Sequence, residues 1–262
     1  MVAFVHAETS TGVLQPSGEI ACAARARGAL VLVDTVTSLG GIPVKVDERG
    51  FDMVFSGTQK CLSCPPGLAP LTVNERGLEA LKSRKGKVQS WYLDLSMIAS
   101  YWGSERVYHH TAPVNMVYGL YQALQLIAEE GLAARFQRHR LNSRALTAGL
   151  AEYGMQPVPP AEYRLPSLVV VHIPEGVADG AVRERLRKTH LIEVGGGLGP
   201  FKGRVWRFGM MGEGSRRANV ERLLVALGET LNFLGHGVSA ERALDAAARV
   251  YTCTESCCGS TR

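Results

Sequence analysis

The sequence predicts an α/β protein with a mostly parallel sheet, followed by a smaller domain of the α+β type. Residues 29–33 are all apolar and residues 53–55 form a second apolar run, as is typical of strands buried within a sheet. Residues 17–27 lie between two strand-like segments. Ser17 is a helix-starting signal and Gly28 a helix-ending one, which favours a strand–helix–strand unit with parallel strands. After residue 153 the pattern of strands and helices changes, which indicates a second unit.

The elements of the first part follow simple local signals. Residues 2–6 are predicted to form a strand that ends in the polar loop 8–12, and Ser17 is predicted to cap a helix that runs to Arg27. Because crossovers between parallel strands are right-handed, we expect the loop at Thr9 and Asp34, the last residue of strand 29–34, at the same edge of the sheet. The next predicted elements are a strand at 51–56, a strand at 68–73 that turns back, a helix at 75–82, an irregular interface loop at 84–115 and a helix at 116–130.

Gly131 separates this last helix from an arginine-rich helix that runs to about Tyr153. The elements predicted beyond it are strands at 168–173, 191–194 and 204–209, a helix at 181–189, a glycine loop at 195–199 and a helix at 218–234 that Ser215 caps. We therefore expect a large domain at 1–131, a small domain at 132–235 and a tail at 236–262. That tail is predicted to be disordered or partly helical, with residues 252–262 disordered.

Composition favours an ordinary globular protein, because 46% of the 262 residues are hydrophobic and the formal net charge is only +5. The arginine runs at 135–144 and 183–188 are interpreted as solvated helix faces, so neither nucleic acid nor a membrane is an expected partner. Cys61 and Cys64 have metal-ligand spacing, but no second Cys/His pair stands at a suitable distance. We expect two reduced thiols and no metal site.

Two charged residues at strand ends carry the first functional hypothesis. Asp34 ends one apolar strand, and Lys60 follows another through the turn Ser56-Gly57-Thr58-Gln59. Binding crevices in open α/β sheets form beyond the carboxyl ends of strands. A lysine that bonds to an aldehyde and a carboxylate that keeps a pyridine nitrogen protonated are the two groups that pyridoxal phosphate requires.

Seven short segments, in one consistent order, carry a resemblance to a known family. They are residues 10–16, 33–34, 38–41, 56–60, 108–111, 196–199 and 207–209. Together they resemble the alanine–glyoxylate and serine–pyruvate aminotransferases, a class V group of pyridoxal phosphate enzymes. The resemblance implies the fold type I of pyridoxal-phosphate-dependent transferases, with residues 1–131 as the later portion of the cofactor-binding domain.

The resemblance also implies roles for individual residues. Lys60 would bond to the cofactor, Asp34 would hold its pyridine nitrogen, Thr9 would lie by its ring, and Gln59 would lie near its oxygens. Two further residues, Tyr108 and Thr111, would reach the cofactor phosphate of a neighbouring subunit, which implies a homodimer. Arg207 would bind the substrate carboxylate, for which a bidentate guanidinium is suited.

The implied reaction is transamination in two halves, with alanine or serine as donor, glyoxylate as acceptor, and pyruvate or hydroxypyruvate and glycine as products. The freed amine of Lys60 would move the proton between the substrate and the cofactor. Relatives lie in peroxisomes, mitochondria or bacterial cytoplasm, and the final residues 260–262 do not form a peroxisomal address. Family members carry a further N-terminal part with a phosphate-binding turn, so this chain is expected to be the back portion of such an enzyme.

Two alternatives remain open at this point. A cysteine desulfurase of the same fold usually has His before the lysine and a reactive cysteine in the small domain, whereas this chain has Gln59 and no cysteine between residues 132 and 234. A truncated, non-catalytic chain is the other alternative. His109 and His110 could suggest a metal site, but neighbouring residues on an extended chain point to opposite sides, so backbone support or an interface role is expected.

Overall fold

The computed structural model describes residues 1–258, with side chains to residue 253. The strands are β1 (Val2–Val5), β2 (Ala7–Glu8), β3 (Val13–Leu14), β4 (Val31–Asp34), β5 (Met53–Phe55), β6 (Leu71–Val73), β7 (Leu168–His172), β8 (Gly195–Gly196) and β9 (Val205–Gly209). The helices are α1 (Ser17–Arg25), α2 (Glu75–Lys82), α3 (Leu95–Trp102), α4 (Val114–Glu130), α5 (Leu132–Ala151), α6 (Asp179–His190), α7 (Arg217–Phe233) and α8 (Ala240–Cys258).

The larger sheet has the strand order β1-β4-β5-β6. Strands β1, β4 and β5 are parallel, and β6 pairs antiparallel with β5, as the sequence predicts for a strand that turns back. Helix α1 connects β1 to β4, and its buried Ala21 packs with Val31, Val33 and Val54 of the sheet. The predicted α/β class with a mostly parallel sheet is therefore confirmed.

The second sheet is antiparallel, with the order β7-β9-β8. Helices α5, α6 and α7 cover one face of this sheet, and the side chain of Trp206 lies in the core between them. The indole N–H of Trp206 donates to Asp179 at 2.7 Å, so that the polar atom of this large buried ring is satisfied.

Helix α8 continues the same core beyond residue 235. Its buried Ala243, Ala247 and Tyr251 face α5 and α7, and the Tyr251 hydroxyl donates to Asn142 at 2.8 Å. A Cβ at Gly149 would lie 2.5 Å from Leu224, which shows how closely α5 approaches its neighbours. The segment predicted as disordered from residue 252 is helical up to Cys258, while residues 259–262 lie outside the described part of the chain.

Several local elements differ from the predictions. The irregular segment contains α3, whose N-terminus is capped by Asp94 through Ser96 N–H at 3.0 Å. The short strand lies at Gly195–Gly196 instead of 191–194, because Leu191 ends α6 in a left-handed conformation with φ 56°. The side chain of Ser215 does not cap α7; it is buried and lies 3.3 Å from the amide nitrogen of Asn142.

Among the described residues, no helix is both long and apolar enough to cross a lipid bilayer.

Asp52 lies just before β5, at the end of the larger sheet opposite Lys60. Its carboxylate connects several chain segments there. Its fully buried carboxylate accepts hydrogen bonds from Val31 N–H at 2.8 Å and forms ion pairs with Arg25 and Arg76 at 3.0 and 2.9 Å. Burial alone would raise the pKa of Asp52, but its hydrogen bonds and the two guanidinium groups outweigh that effect and lower it.

We expect Asp52→Ala to lower the free energy of unfolding by about 1–3 kcal/mol, because the buried Val31 N–H loses its acceptor, whereas the partly exposed guanidinium groups of Arg25 and Arg76 can be solvated. Urea denaturation followed by circular dichroism measures this loss, and an unchanged midpoint would contradict it. The pKa of Asp52 is lowered in the folded state, so its ionised carboxylate stabilises the fold. The extra free energy of unfolding of the wild type over Asp52→Asn is therefore complete above about pH 4. It is lost as the pH falls through the pKa of Asp52 in the folded state.

Candidate active site

Three chain segments with candidate functional residues emerge at one edge of the larger sheet. The last residues of β1, β4 and β5 are in register, since Val5 pairs with Asp34 and Asp34 pairs with Phe55. The loop at Thr9 follows the short strand β2, which comes directly after β1, and Lys60 lies in the turn that follows β5. The structure thus brings these segments together at the carboxyl ends of parallel strands, as the crossover argument predicts.

The turn that carries Lys60 is closed by its own backbone. Ser63 N–H donates to the Lys60 carbonyl at 3.0 Å, and Cys64 N–H donates to the Thr58 carbonyl at 3.1 Å. The Thr58 hydroxyl, fully buried, donates to the Pro65 carbonyl at 2.7 Å. The Lys60 side chain is half-buried, and no hydrogen bond or ion pair engages its amine within residues 1–253.

The two oxygen atoms of the Asp34 carboxylate have different surroundings. One oxygen accepts the Val36 N–H at 2.8 Å, which is the turn-capping contact that a purely structural aspartate would make. The other oxygen has no hydrogen-bond partner in the part of the chain that the structure describes. One acceptor at the strand end is therefore available to a ligand.

Arg207 connects the small domain to the loop at Thr9. This arginine projects from β9, and its Nε donates to the Gly196 carbonyl at 2.7 Å. One terminal nitrogen donates to the Thr9 carbonyl at 3.1 Å, across 198 positions of sequence. Gly195 and Gly196 pair with β9 beside this side chain, so the glycine run forms a narrow strand edge instead of the predicted loop.

The other predicted site residues make no hydrogen bond to this group within the described part of the chain. Gln59 is exposed, and its amide oxygen lies 2.7 Å from the position that a Cβ on Gly57 would take. The hydroxyls of Tyr108 and Thr111 are 3.1 Å apart, and Tyr108 is 72% exposed. Within the described chain, neither of these two hydroxyl groups hydrogen-bonds to Lys60, Asp34 or Arg207.

The two adjacent histidines contact each other, contrary to the expectation that they point to opposite sides. Their Nδ1 atoms are 2.8 Å apart, because the chain at this point is a bent loop and not an extended strand. His109 is buried, and its Nε2 lies 3.0 Å from the Trp91 carbonyl oxygen. This contact provides the backbone support that the sequence analysis expected of the pair.

Sequence reasoning missed a buried polar face on α5 behind the Lys60 turn. The run 135–144 was interpreted as solvated, yet Arg135 and His139 are 4% and 0% exposed. Asn142 and Leu146 continue the same buried face. The spacing of these four residues is that of one helix face, a signal that hydrophobic periodicity alone does not detect.

His139 reaches from α5 to the turn after β9. Its Nε2 accepts the Gly212 N–H at 2.8 Å, which leaves Nδ1 to donate to the Arg135 carbonyl at 2.8 Å. Burial, assisted by the neighbouring arginines, lowers the pKa of His139 to about 4, so that the ring is neutral at physiological pH. The neutral ring can therefore accept one hydrogen bond and donate the other.

A sequence profile of the aminotransferase class-V family matches residues 1–199. The chain belongs to this family. The matched residues include Thr9, Asp34 and Lys60, whereas Arg207 lies beyond them.

Individual relatives agree with this assignment. The alanine–glyoxylate aminotransferase of Mus musculus is 39% identical over 87% of this chain and 56% of its own length. A solved alanine–glyoxylate aminotransferase from Nostoc sp. is 51% identical, with a TM-score of 0.85 over 87% of this chain and 61% of its own. The solved ureidoglycine–glyoxylate aminotransferase from Bacillus subtilis is 41% identical, with a TM-score of 0.92 over 96% of this chain and 65% of its own.

These matches confirm the predicted fold type I of the aminotransferases and the family that the sequence motifs indicated. The chain spans between 56% and 65% of the length of these three relatives.

Cys61, the residue after Lys60, is predicted to be chemically inert. Burial raises the pKa of its thiol to about 11, although nearby hydrogen-bond donors and cations oppose this shift. At pH 8 we expect iodoacetamide to modify Cys61 more than about a hundredfold slower than the exposed Cys22, because only the thiolate reacts. Peptide mass spectrometry after timed quenching measures both rates. Equal rates in the native protein, as in a urea-unfolded control, would contradict the prediction.

Proposed function

We propose that this protein is a pyridoxal-phosphate-dependent aminotransferase that transfers an amino group from an amino acid to glyoxylate. The observation that carries the proposal is the placement of the Thr9 loop, Asp34 and Lys60 at neighbouring carboxyl strand ends, with Arg207 bound to that same loop. The names of the relatives support glyoxylate as the acceptor, since all three contain that compound. Alanine or serine is the donor that we propose.

The residues present fit the cofactor. Lys60 offers an amine that is not engaged by the described protein, and Asp34 keeps one carboxylate oxygen for a ring nitrogen. Thr9 would lie by the ring and Gln59 near its oxygens. When bound, pyridoxal phosphate supplies an aldehyde and an aromatic ring that accepts electrons from the substrate.

Each residue of the chain then has a distinct task. Lys60 would hold the cofactor through its amine, and when free that amine would carry a proton to and from the substrate α-carbon. The carboxylate of Asp34 would keep a proton on the ring nitrogen by its negative charge. The guanidinium of Arg207 orients the substrate through its carboxylate, which keeps the α-hydrogen in reach of the lysine amine.

A homodimer with a shared site is part of the proposal, with Tyr108 and Thr111 reaching the cofactor phosphate of the partner subunit. The apolar face of α4 supports it, because Val117, Tyr121 and Leu124 are 41%, 61% and 48% exposed. Trp91, Tyr92 and Trp102 are also more than half exposed. An apolar surface of this extent is typical of a protein–protein interface.

The deciding experiment is covalent trapping at Lys60. The purified protein is mixed with pyridoxal phosphate and reduced with borohydride, and the adduct is located by peptide mass spectrometry. We expect one dominant adduct at Lys60, and none in Lys60→Ala. The half-exposed Lys45, which forms an ion pair with Glu48, provides the comparison site within the same protein.

The same trapping is carried out on a form extended at its N-terminus with the corresponding part of the Nostoc sp. relative. If neither form is labelled at Lys60 above the level at Lys45, the proposed function is wrong. Labelling at Lys60, with a visible absorption band that bleaches on addition of alanine, supports the amino-transfer half-reaction.

We expect Arg207→Lys to raise the apparent dissociation constant for alanine between about tenfold and a hundredfold, because a bidentate carboxylate pair is lost. The bleaching of the visible band at increasing alanine concentration measures this constant. Arg204→Lys, three positions earlier on the exposed approach to β9, is the matched control and should leave it unchanged. Equal constants for wild type and Arg207→Lys would remove Arg207 from the substrate site.

A further inference from the structure

Arg135 is a buried arginine on the first turns of α5, directly behind the turn that carries Lys60. Its guanidinium makes three contacts: Nε donates to the Gly40 carbonyl at 2.9 Å, one terminal nitrogen to the Cys61 carbonyl at 2.6 Å, and the other to the Glu130 carboxylate at 2.7 Å. The side chain is only 5% exposed. All three of its nitrogen atoms are therefore used.

The two carbonyl contacts lie on the two loops of the candidate site. Cys61 directly follows Lys60, so the bond to its carbonyl fixes the Cys61–Leu62 peptide plane, one residue beyond the lysine. Gly40 lies in the loop that follows Asp34 and has φ 80°, a conformation that favours glycine. One rigid planar group thus sets the distance between the Asp34 loop and the Lys60 turn.

A second contact from the small domain holds the other end of the Lys60 turn. Glu213 N–H donates to the Ser63 hydroxyl at 2.8 Å, and a Cβ on Gly212 would overlap that hydroxyl. Residues 212 and 213 follow β9, which carries Arg207. The Lys60 turn is consequently held on both sides by the domain that contributes the proposed carboxylate-binding arginine.

The charge of Glu130 keeps the third arm of Arg135 in place. Hydrogen bonds from Arg138 and then Arg135 lower the pKa of Glu130 to about 2, although its partial burial acts in the opposite direction. Glu130 therefore remains ionised at every pH at which the protein would work. A buried guanidinium with a complete set of partners has one preferred position, because displacing it would leave buried polar atoms unpaired.

We propose that Arg135 is a positioning residue that fixes the Lys60 turn against the Asp34 loop, so that the lysine amine is presented in one orientation. This inference rests on the proposed function, in which the reactive group is that amine. Arg135 itself touches neither substrate nor cofactor in this arrangement. A lysine at position 135 would keep the charge, but its single ammonium cannot bond to both carbonyls and to Glu130 with the geometry of the guanidinium.

The test compares Arg135→Lys with Arg76→Lys, which removes an almost identical set of contacts from the opposite end of the sheet. Arg76 donates to the carbonyls of Gly28 and Ala29 at 2.7 and 3.0 Å and forms an ion pair with Asp52 at 2.9 Å. Gly28 and Ala29 precede β4, so this control is far along the strands from Lys60. Each variant therefore loses one guanidinium group that bonds to two carbonyls and a carboxylate. Only the contacts of Arg135 include the Lys60 turn.

Two readouts are measured on each protein. The first is hydrogen exchange of the Ser63 and Cys64 amides, which are hydrogen-bonded within the Lys60 turn in the wild type. The second is the rate of borohydride-trapped labelling of Lys60 by pyridoxal phosphate. We expect Arg135→Lys to speed the exchange roughly tenfold and to slow the labelling between about tenfold and a hundredfold. Arg76→Lys should leave both rates at the wild-type value.

Wild-type exchange and labelling in Arg135→Lys would overturn the inference, as would equal changes in Arg76→Lys, which would indicate general destabilisation. If Arg135→Lys does not fold by circular dichroism, Glu130→Gln replaces it, and an unchanged exchange rate in that variant overturns the inference. If neither the wild type nor its N-terminally extended form is labelled at Lys60, the proposed function is wrong, while the exchange measurement still decides whether Arg135 holds the turn.

Discussion

The parallel pairing of β1, β4 and β5 is the constraint on which the rest of the structure depends. Because the strands run in the same direction and end in register at Val5, Asp34 and Phe55, the chain leaves the sheet three times at one edge. Each exit must satisfy its backbone groups without the help of a continuing strand. The turns at 34–36 and 58–64 do so with local hydrogen bonds, and this leaves the amine of Lys60 and one oxygen of Asp34 available at the same edge.

Residues 132–235 complete that edge partly through hydrogen bonds to backbone carbonyls, in addition to the apolar contacts of Ala7 and Ile42 with Leu165 and Val205. Arg207 bonds to the carbonyl of Thr9, Arg135 to those of Gly40 and Cys61, and the Ser167 hydroxyl to that of Thr37 at 3.0 Å. These acceptors belong to the loops that follow β2, β4 and β5. Residues 132–235 therefore attach to the loops of the candidate site.

This mode of attachment explains what could be predicted from sequence. The placement of Asp34 and Lys60 at one sheet edge could be predicted because each follows an apolar strand, and the helix at Glu75–Lys82 has the predicted bounds. The burial of Arg135 could not be predicted, because two of its acceptors are backbone carbonyl oxygens. Every residue has such an oxygen, so the sequence gives no sign of these contacts. The alanine-rich α8 was predicted only in part, because its burial depends on the close approach that Gly149 permits between distant helices.

The same contacts imply that the geometry of the candidate site depends on how the second sheet and α5 are oriented against the larger sheet. A charge-assisted hydrogen bond contributes about 1.5–3 kcal/mol, and a buried carbonyl left without its partner costs a similar amount. Rotating the small domain away from the sheet would break the bonds of Arg207 and Arg135 together, and would also release Ser63 from Glu213. Such a motion has to displace the Lys60 turn and the Thr9 loop at the same time. The second sheet and α5 can therefore change their position relative to the larger sheet only when the Lys60 turn and the Thr9 loop move too.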